Sequence, residues 1–143
     1  AEESAAYQIV EQVYPEIRSR EVAAVDMPMT KDPLIREKSH ESGADRIESY
    51  LKQNRTVGFL TLGDVSIYST YLYLQKIISD RGYETVMVSG IPSFCNVAAQ
   101  LGIGLAEQDQ SLHIIPASYS LEEALCLNGT PIFMKAGRAF GRL

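Results

Sequence analysis

Three short stretches of this chain set a glycine beside side chains able to hold a ligand or cap a helix. They are Leu62-Gly63-Asp64-Val65-Ser66-Ile67-Tyr68-Ser69-Thr70, Ser89-Gly90-Ile91-Pro92-Ser93-Phe94-Cys95, and Met134-Lys135-Ala136-Gly137-Arg138 with Arg142 close behind. A glycine has no Cβ, so a ligand can come close to the main chain there. Asp64, Ser66 and Ser93 are of the types that accept hydrogen bonds from the free N–H groups opening a helix. Lys135, Arg138 and Arg142 place three cations within eight residues of a net acidic chain, which makes either an anion-attracting edge or a solvated end. On spacing alone, each stretch also fits an ordinary turn between a strand and a helix.

Other chemistries lack their patterns. No G-x-S-x-G nucleophile elbow occurs. Neither does a Walker motif or a G-x-G-x-x-G, so nucleotide-phosphate binding has no specific support. His40 lies in a charged stretch and His113 opens an apolar run, and both read as structural. Cys95 and Cys126 stand 31 positions apart, with no C-x-x-C pair and no nearby histidine. They read as two buried free thiols, and no metal site is expected. Eighteen acidic against thirteen basic residues, a net charge of −5, oppose non-specific nucleic-acid binding. No apolar run approaches the ~20 residues of a membrane helix. The start, Ala1-Glu2-Glu3-Ser4, lacks the basic-then-apolar layout of a signal peptide. It also lacks an initiator methionine, so the gene is expected to begin upstream.

The elements that must position these loops follow from two hydrophobic periods. Ile9, Val10, Val13 and Ile17 keep helical spacing, as do Ala44, Ile47 and Leu51 within residues 34–51 and Ile67, Tyr71, Leu74 and Ile78 after the first loop. Arg36, Glu37, Lys38 and Glu41 would face water, and Gly43 would weaken the second of these helices. Gly82 is placed to end the third. Residues 22–25, 57–62, 83–88, 112–115 and 131–134 read as strands, with 57–62 apolar throughout, as in a strand covered on both faces. Residues 94–101 and 121–127 read as further helices. Strand and helix therefore alternate, which predicts an α/β fold with a mostly parallel sheet and helices on both faces. Ligands in such folds bind beyond the carboxyl ends of the strands, where the three glycine stretches lie. The 101–110 stretch, with two glycines and then Glu107-Gln108-Asp109-Gln110, is the expected domain boundary.

In order along the chain, Phe59-Leu60-Thr61-Leu62-Gly63-Asp64-Val65-Ser66-Ile67-Tyr68-Ser69-Thr70, then Ser89-Gly90-Ile91-Pro92-Ser93-Phe94-Cys95, then Leu112-His113-Ile114-Ile115-Pro116-Ala117, then Phe133-Met134-Lys135-Ala136-Gly137-Arg138 resemble the tetrapyrrole methylase family. Ser66-Ile67-Tyr68-Ser69-Thr70 and Met27-Pro28-Met29-Thr30-Lys31-Asp32 are most similar to its precorrin-2 / cobalt-factor-II C20-methyltransferase branch. The resemblance implies two α/β domains with S-adenosylmethionine held in the cleft between them. Residues 1–108 would form the first domain and 109–143 the beginning of the second.

By the same resemblance, Leu62, Gly63, Asp64 and Ile67, Pro92 and Ser93, and Met134 are expected cofactor contacts. Lys135, Arg138 and, more weakly, Lys31 are expected to meet the carboxylates of a tetrapyrrole substrate, and Tyr68 is a candidate base. A cytoplasmic homodimer is also implied. The matched region lacks the family's first strand with its G-x-G-x-G-D motif and stops after one strand–helix–strand unit of the second domain. It is therefore expected to be truncated at both ends and inactive by itself. Val65 replaces the proline many relatives carry after Gly-Asp, a helix-start preference rather than a chemical requirement. Methylation at another position or on another substrate of the superfamily, or a ligand-binding role without catalysis, are the alternatives.

Overall fold

The computed structural model describes residues 4–116 and 118–135. Along the chain run α1 (Ala5–Val13), a 3-10 turn (Pro15–Ser19), α2 (Pro33–Leu51), α3 (Tyr71–Asp80), α4 (Ser93–Leu101), β1 (Leu112–Pro116), α5 (Leu121–Leu125) and β2 (Thr130–Met134). They fall into two compact units, Ala1–Gly90 and Ile91–Leu143.

In the first unit, α2 starts where its sequence says it should. The Asp32 carboxylate accepts from Leu34 N at 2.9 Å and from Ile35 N at 3.4 Å, and Pro33, which has no N–H to leave unpaired, occupies the first turn. Ala44 and Ile47 are buried, together with Leu74 and Ile78 of α3, and Val25, Met27, Leu51, Val57, Phe59, Ile77 and Tyr83 pack around them. Phe59 stacks on Tyr71, with ring centroids 5.2 Å apart. Gly43, expected to weaken α2, is instead a packing position. A Cβ there would lie 2.7 Å from Val25 Cγ1 and 3.1 Å from Leu74 Cδ2, so only glycine lets α3 and the 22–27 segment approach.

A polar clasp closes the same helix pair at the C-terminal end of α3. Arg81 pairs with Glu41 and Asp45 at 2.8 Å and with Glu48 at 2.9 Å. Glu48 also accepts from the Tyr83 hydroxyl at 3.3 Å and lies 3.2 Å from Lys52 Nζ.

The second unit holds a parallel two-stranded sheet in which Leu112 aligns with Thr130 and Pro116 with Met134, matching the strands expected at 112–115 and 131–134. The connection between them carries α5, opened by Ser120, whose hydroxyl accepts from Glu123 N at 3.3 Å. Gly102, at φ 66°, ends α4.

Several expectations are corrected. Residues 22–25, 57–62 and 83–88 are not strands; among the described residues the hydrogen-bonded sheet contains β1 and β2 alone. A ladder needs a neighbour in register at about 4.8 Å, which an apolar run cannot supply for itself. The 57–62 segment keeps an extended alternation all the same: Val57 and Phe59 pack on the core while Leu60 and Leu62 are exposed. The first helix stops at Val13, because Pro15 disfavours helical geometry at Tyr14, and Ile17 falls in the separate 3-10 turn. Ile9 and Val13, expected on a buried face, are exposed; Ala6 and Tyr7 are the buried residues of α1. The helix expected from Ile67 begins only at Tyr71. Tyr68 sits at φ 50°, left-handed backbone that no right-handed helix can pass through. Both cysteines are free thiols, and both are exposed rather than buried.

Candidate functional site

The 62–70 loop follows directly from the core-packed extended segment and is shaped by its own side chains. Gly63 turns the chain at φ 73°, and the loop reaches α3 through Ser69. The Ser69 hydroxyl is buried, accepts from Tyr71 N at 3.3 Å and lies 3.5 Å from Thr61 Oγ1. Leu62 and Tyr68 are exposed, at 57% and 41%, so the loop offers apolar surface on either side of its polar turn.

Asp64 organises this turn. Its Oδ1 accepts from Ser66 N at 2.8 Å and from the Ser66 hydroxyl, a local turn rather than a helix cap. Neither Asp64 nor Ser66 caps α3, whose N-cap position is Thr70, with no side-chain capping bond. The other carboxylate oxygen, Oδ2, accepts from Gly90 N at 2.8 Å, joining the 62–70 loop to the turn 26 residues downstream. The Ser66 hydroxyl, the Ser66 amide and the Gly90 amide together hold the Asp64 carboxyl below its ordinary range, because each bond favours the charged form. The two turns also touch through main chain. A Cβ on Gly90 would overlap the Gly63 carbonyl oxygen and stand 3.1 Å from its carbon, so no side chain fits at position 90.

The remaining residues singled out in the sequence belong to the second unit or lie apart. Pro92, at φ −58° and ψ 144°, is itself the N-cap of α4, and its carbonyl accepts from Asn96 N at 3.2 Å. Ser93 is therefore the first helical residue and makes no capping bond, a correction to its expected role. Met134 ends β2, half-buried, and Lys135 follows it, exposed and at φ 58°. Lys31 is exposed, one position ahead of the Asp32 cap. Arg138 lies outside the described residues.

Two residues take on roles in the site that their spacing did not assign them. Ser69 was visible only as one hydroxyl among several in the loop. Gly90 was visible as a turn glycine, but no sequence signal pairs it with Asp64. Among the described residues no group of three or more His, Cys, Asp or Glu could hold a metal ion. His113 Nε2 lies 2.9 Å from the Asn128 carbonyl, a bond that ties β1 to the turn before β2. His40 stacks on Tyr73 with centroids 4.6 Å apart and planes inclined by 11°.

Known proteins resemble this chain in sequence and fold. Residues 1–143 match the Tetrapyrrole (Corrin/Porphyrin) Methylases. A protein of Methanocaldococcus jannaschii described as a probable cobalt-precorrin-2 C(20)-methyltransferase is 33% identical over 132 residues, covering 92% of this chain and 55% of that protein. The cobalt-precorrin-2 C(20)-methyltransferase of Salmonella typhimurium is 30% identical over 127 residues, 86% of this chain and 53% of its own length. The chain thus spans about half the length of these relatives. A solved structure of a cobalamin synthesis related protein (CobF) from Corynebacterium diphtheriae superposes with a TM-score of 0.64 at 16% identity, over 98% of this chain and 62% of that one, and so shares the fold. With its whole length matched, this α/β chain belongs to the tetrapyrrole methylase family.

Proposed function

We propose that this chain is part of an S-adenosylmethionine-dependent methyltransferase that acts at C20 of precorrin-2 or cobalt-factor II in corrinoid biosynthesis. The observation that carries the proposal is the similarity, over nearly all of the chain, to two proteins named for that reaction on cobalt-precorrin-2. The family supports a methyl donor of the sulfonium type, which supplies an activated methyl group when bound. The residues present fit such a donor. The 62–64 turn exposes main chain at Gly63, carries apolar Leu62 beside it, and commits the Asp64 carboxylate to internal hydrogen bonds. Leu62, Gly63, Asp64, Ile67, Pro92, Ser93 and Met134 remain the proposed cofactor residues.

Methyl transfer to a nucleophilic carbon asks the protein chiefly to align and to exclude water, and alignment alone can contribute roughly 7–11 kcal/mol. A site built from closely packed glycine turns suits that task. No base for the proton lost by the methylated carbon is assigned; Tyr68, in the same loop, is the residue to test in that role. Lys135, Arg138 and Lys31 are the proposed partners of substrate carboxylates, each supplying a positive charge in a net acidic chain. A cytoplasmic homodimer completes the reading. Among the described residues no helix is long and apolar enough to cross a membrane.

The test is a methyl-transfer assay on the full-length protein, offered S-adenosylmethionine with metal-free precorrin-2 and, separately, with its cobalt complex. A one-methyl gain in product mass is expected with one of them, and the preferred acceptor names the substrate. Donor binding without any gain on either acceptor would overturn the C20 assignment.

A further inference from the structure

We infer that Asp64 is a positioning residue and not itself a ligand contact: its carboxylate latches the 62–70 loop onto the Ser89-Gly90 turn and so sets the spacing of two turns beside the methyl-donor site. The inference rests on the cofactor reading above and reassigns one residue within it.

Two independent observations carry it. Both carboxylate oxygens already have partners inside the protein, Oδ1 from Ser66 and Oδ2 from the Gly90 amide at 2.8 Å. Oδ1 supports the 62–70 turn locally, whereas the bond to Oδ2 reaches across 26 residues to a turn outside that loop. Independently, Gly90 is packed so tightly against the Gly63 carbonyl that a methyl group there would force the turns apart. A main-chain contact and a charge-assisted hydrogen bond therefore fix one separation from two directions. Gly63, the residue held in this way, is the one whose exposed main chain is the proposed donor contact. Shifting it by a fraction of an ångström would misplace that main chain while leaving the helical core untouched.

The latch predicts coupling that a direct contact does not. Donor dissociation constants would be measured by calorimetry on the full-length protein, on Asp64→Asn, on Gly90→Ala and on the double variant. In Asp64→Asn the new side-chain amide keeps an acceptor for Ser66 but turns an N–H₂ toward the Gly90 amide. Each single variant should weaken donor binding by about tenfold, the scale of one hydrogen bond to a charged group. The double variant should be no worse than about threefold beyond either single one, because both changes open the same latch. A silent Gly90→Ala, or effects that multiply in the double variant, would overturn the positioning role and return Asp64 to direct contact.

Because either variant can be lost to misfolding, a second measurement uses the unsubstituted protein. The Gly90 amide resonance should move with pH in step with the Asp64 carboxyl carbon, and an amide that ignores that titration overturns the latch. No donor binding by the native protein would sink the cofactor reading, and this inference with it. Donor binding with uncoupled variants would sink only the latch.

Discussion

His40 and Asp64 show how one side chain's surroundings set its response to acid. His40 stacks on Tyr73, and partial burial, helped by the nearby Arg36 charge, lowers its pKa from the ordinary 6.5. Over the window just below that value the unfolded chain takes up a proton that the folded His40 refuses. Folding stability therefore falls as pH drops through the ordinary histidine range. Denaturant midpoints taken between about pH 7.5 and about pH 5.5 should fall in the native chain and fall less in His40→Gln. An equal fall in both would remove His40 as the cause. Asp64 acts in a separate window. Its folded pKa is depressed, so its contribution is present above the ordinary carboxylate range and lost only as pH falls through that lower value. The residue scale is also where sequence reading was weakest. The types of Asp64, Ser66 and Gly90 were plain, but their hydrogen bonds depend on how the backbone is brought together over 26 positions. Ser93 looked like a cap by type, yet Pro92 already occupies the cap position.

Helices were legible because the forces that make them are local. The 34–51 helix with its Ala44, Ile47 and Leu51 stripe, and the glycines after α3 and α4, are each decided within a few residues, although the Asp32 cap and Pro33 start of α2 were not read from the sequence. The misplaced start of the third helix fits the same rule in reverse, since a left-handed Tyr68 is imposed by the loop that precedes it. Strands were half legible. Residues 112–115 and 131–134 found each other as parallel neighbours. Residues 57–62 kept a strand's alternation without a strand's ladder, because pairing is a property of two segments. At this scale the decisive position is Gly43. Valine there would meet the stiff Val25 side chain and Leu74, so Gly43→Val is expected to cost about 1–3 kcal/mol by overpacking. Leu74→Ala, at a fully buried position, is expected to cost about 2–5 kcal/mol through the cavity it leaves. Chemical denaturation measures both. A stabilised Gly43→Val would mean that α3 and the 22–27 segment are not packed as described.

Across the molecule, apolar side chains are unevenly covered. Leu60, Leu62, Val86, Met87 and Val88 of the first unit are all exposed, Val86 at 72% and Val88 at 79%. Such surface favours association. At tens of micromolar, by order of magnitude, this chain should scatter light in a concentration-dependent way, and Val86→Lys with Val88→Lys should suppress the effect. Unchanged scattering in the double variant would place the sticky surface elsewhere. Charge is uneven as well. With acids outnumbering bases, one guanidinium serves three carboxylates where α2 meets the end of α3. That sharing makes the partners unequal under drift. Glu41, Asp45 or Glu48 can each be exchanged while two acids still hold the arginine, so a lineage can wander through that trio one step at a time. A lineage that loses Arg81 first leaves three carboxylates crowded together, with Lys52 beside Glu48.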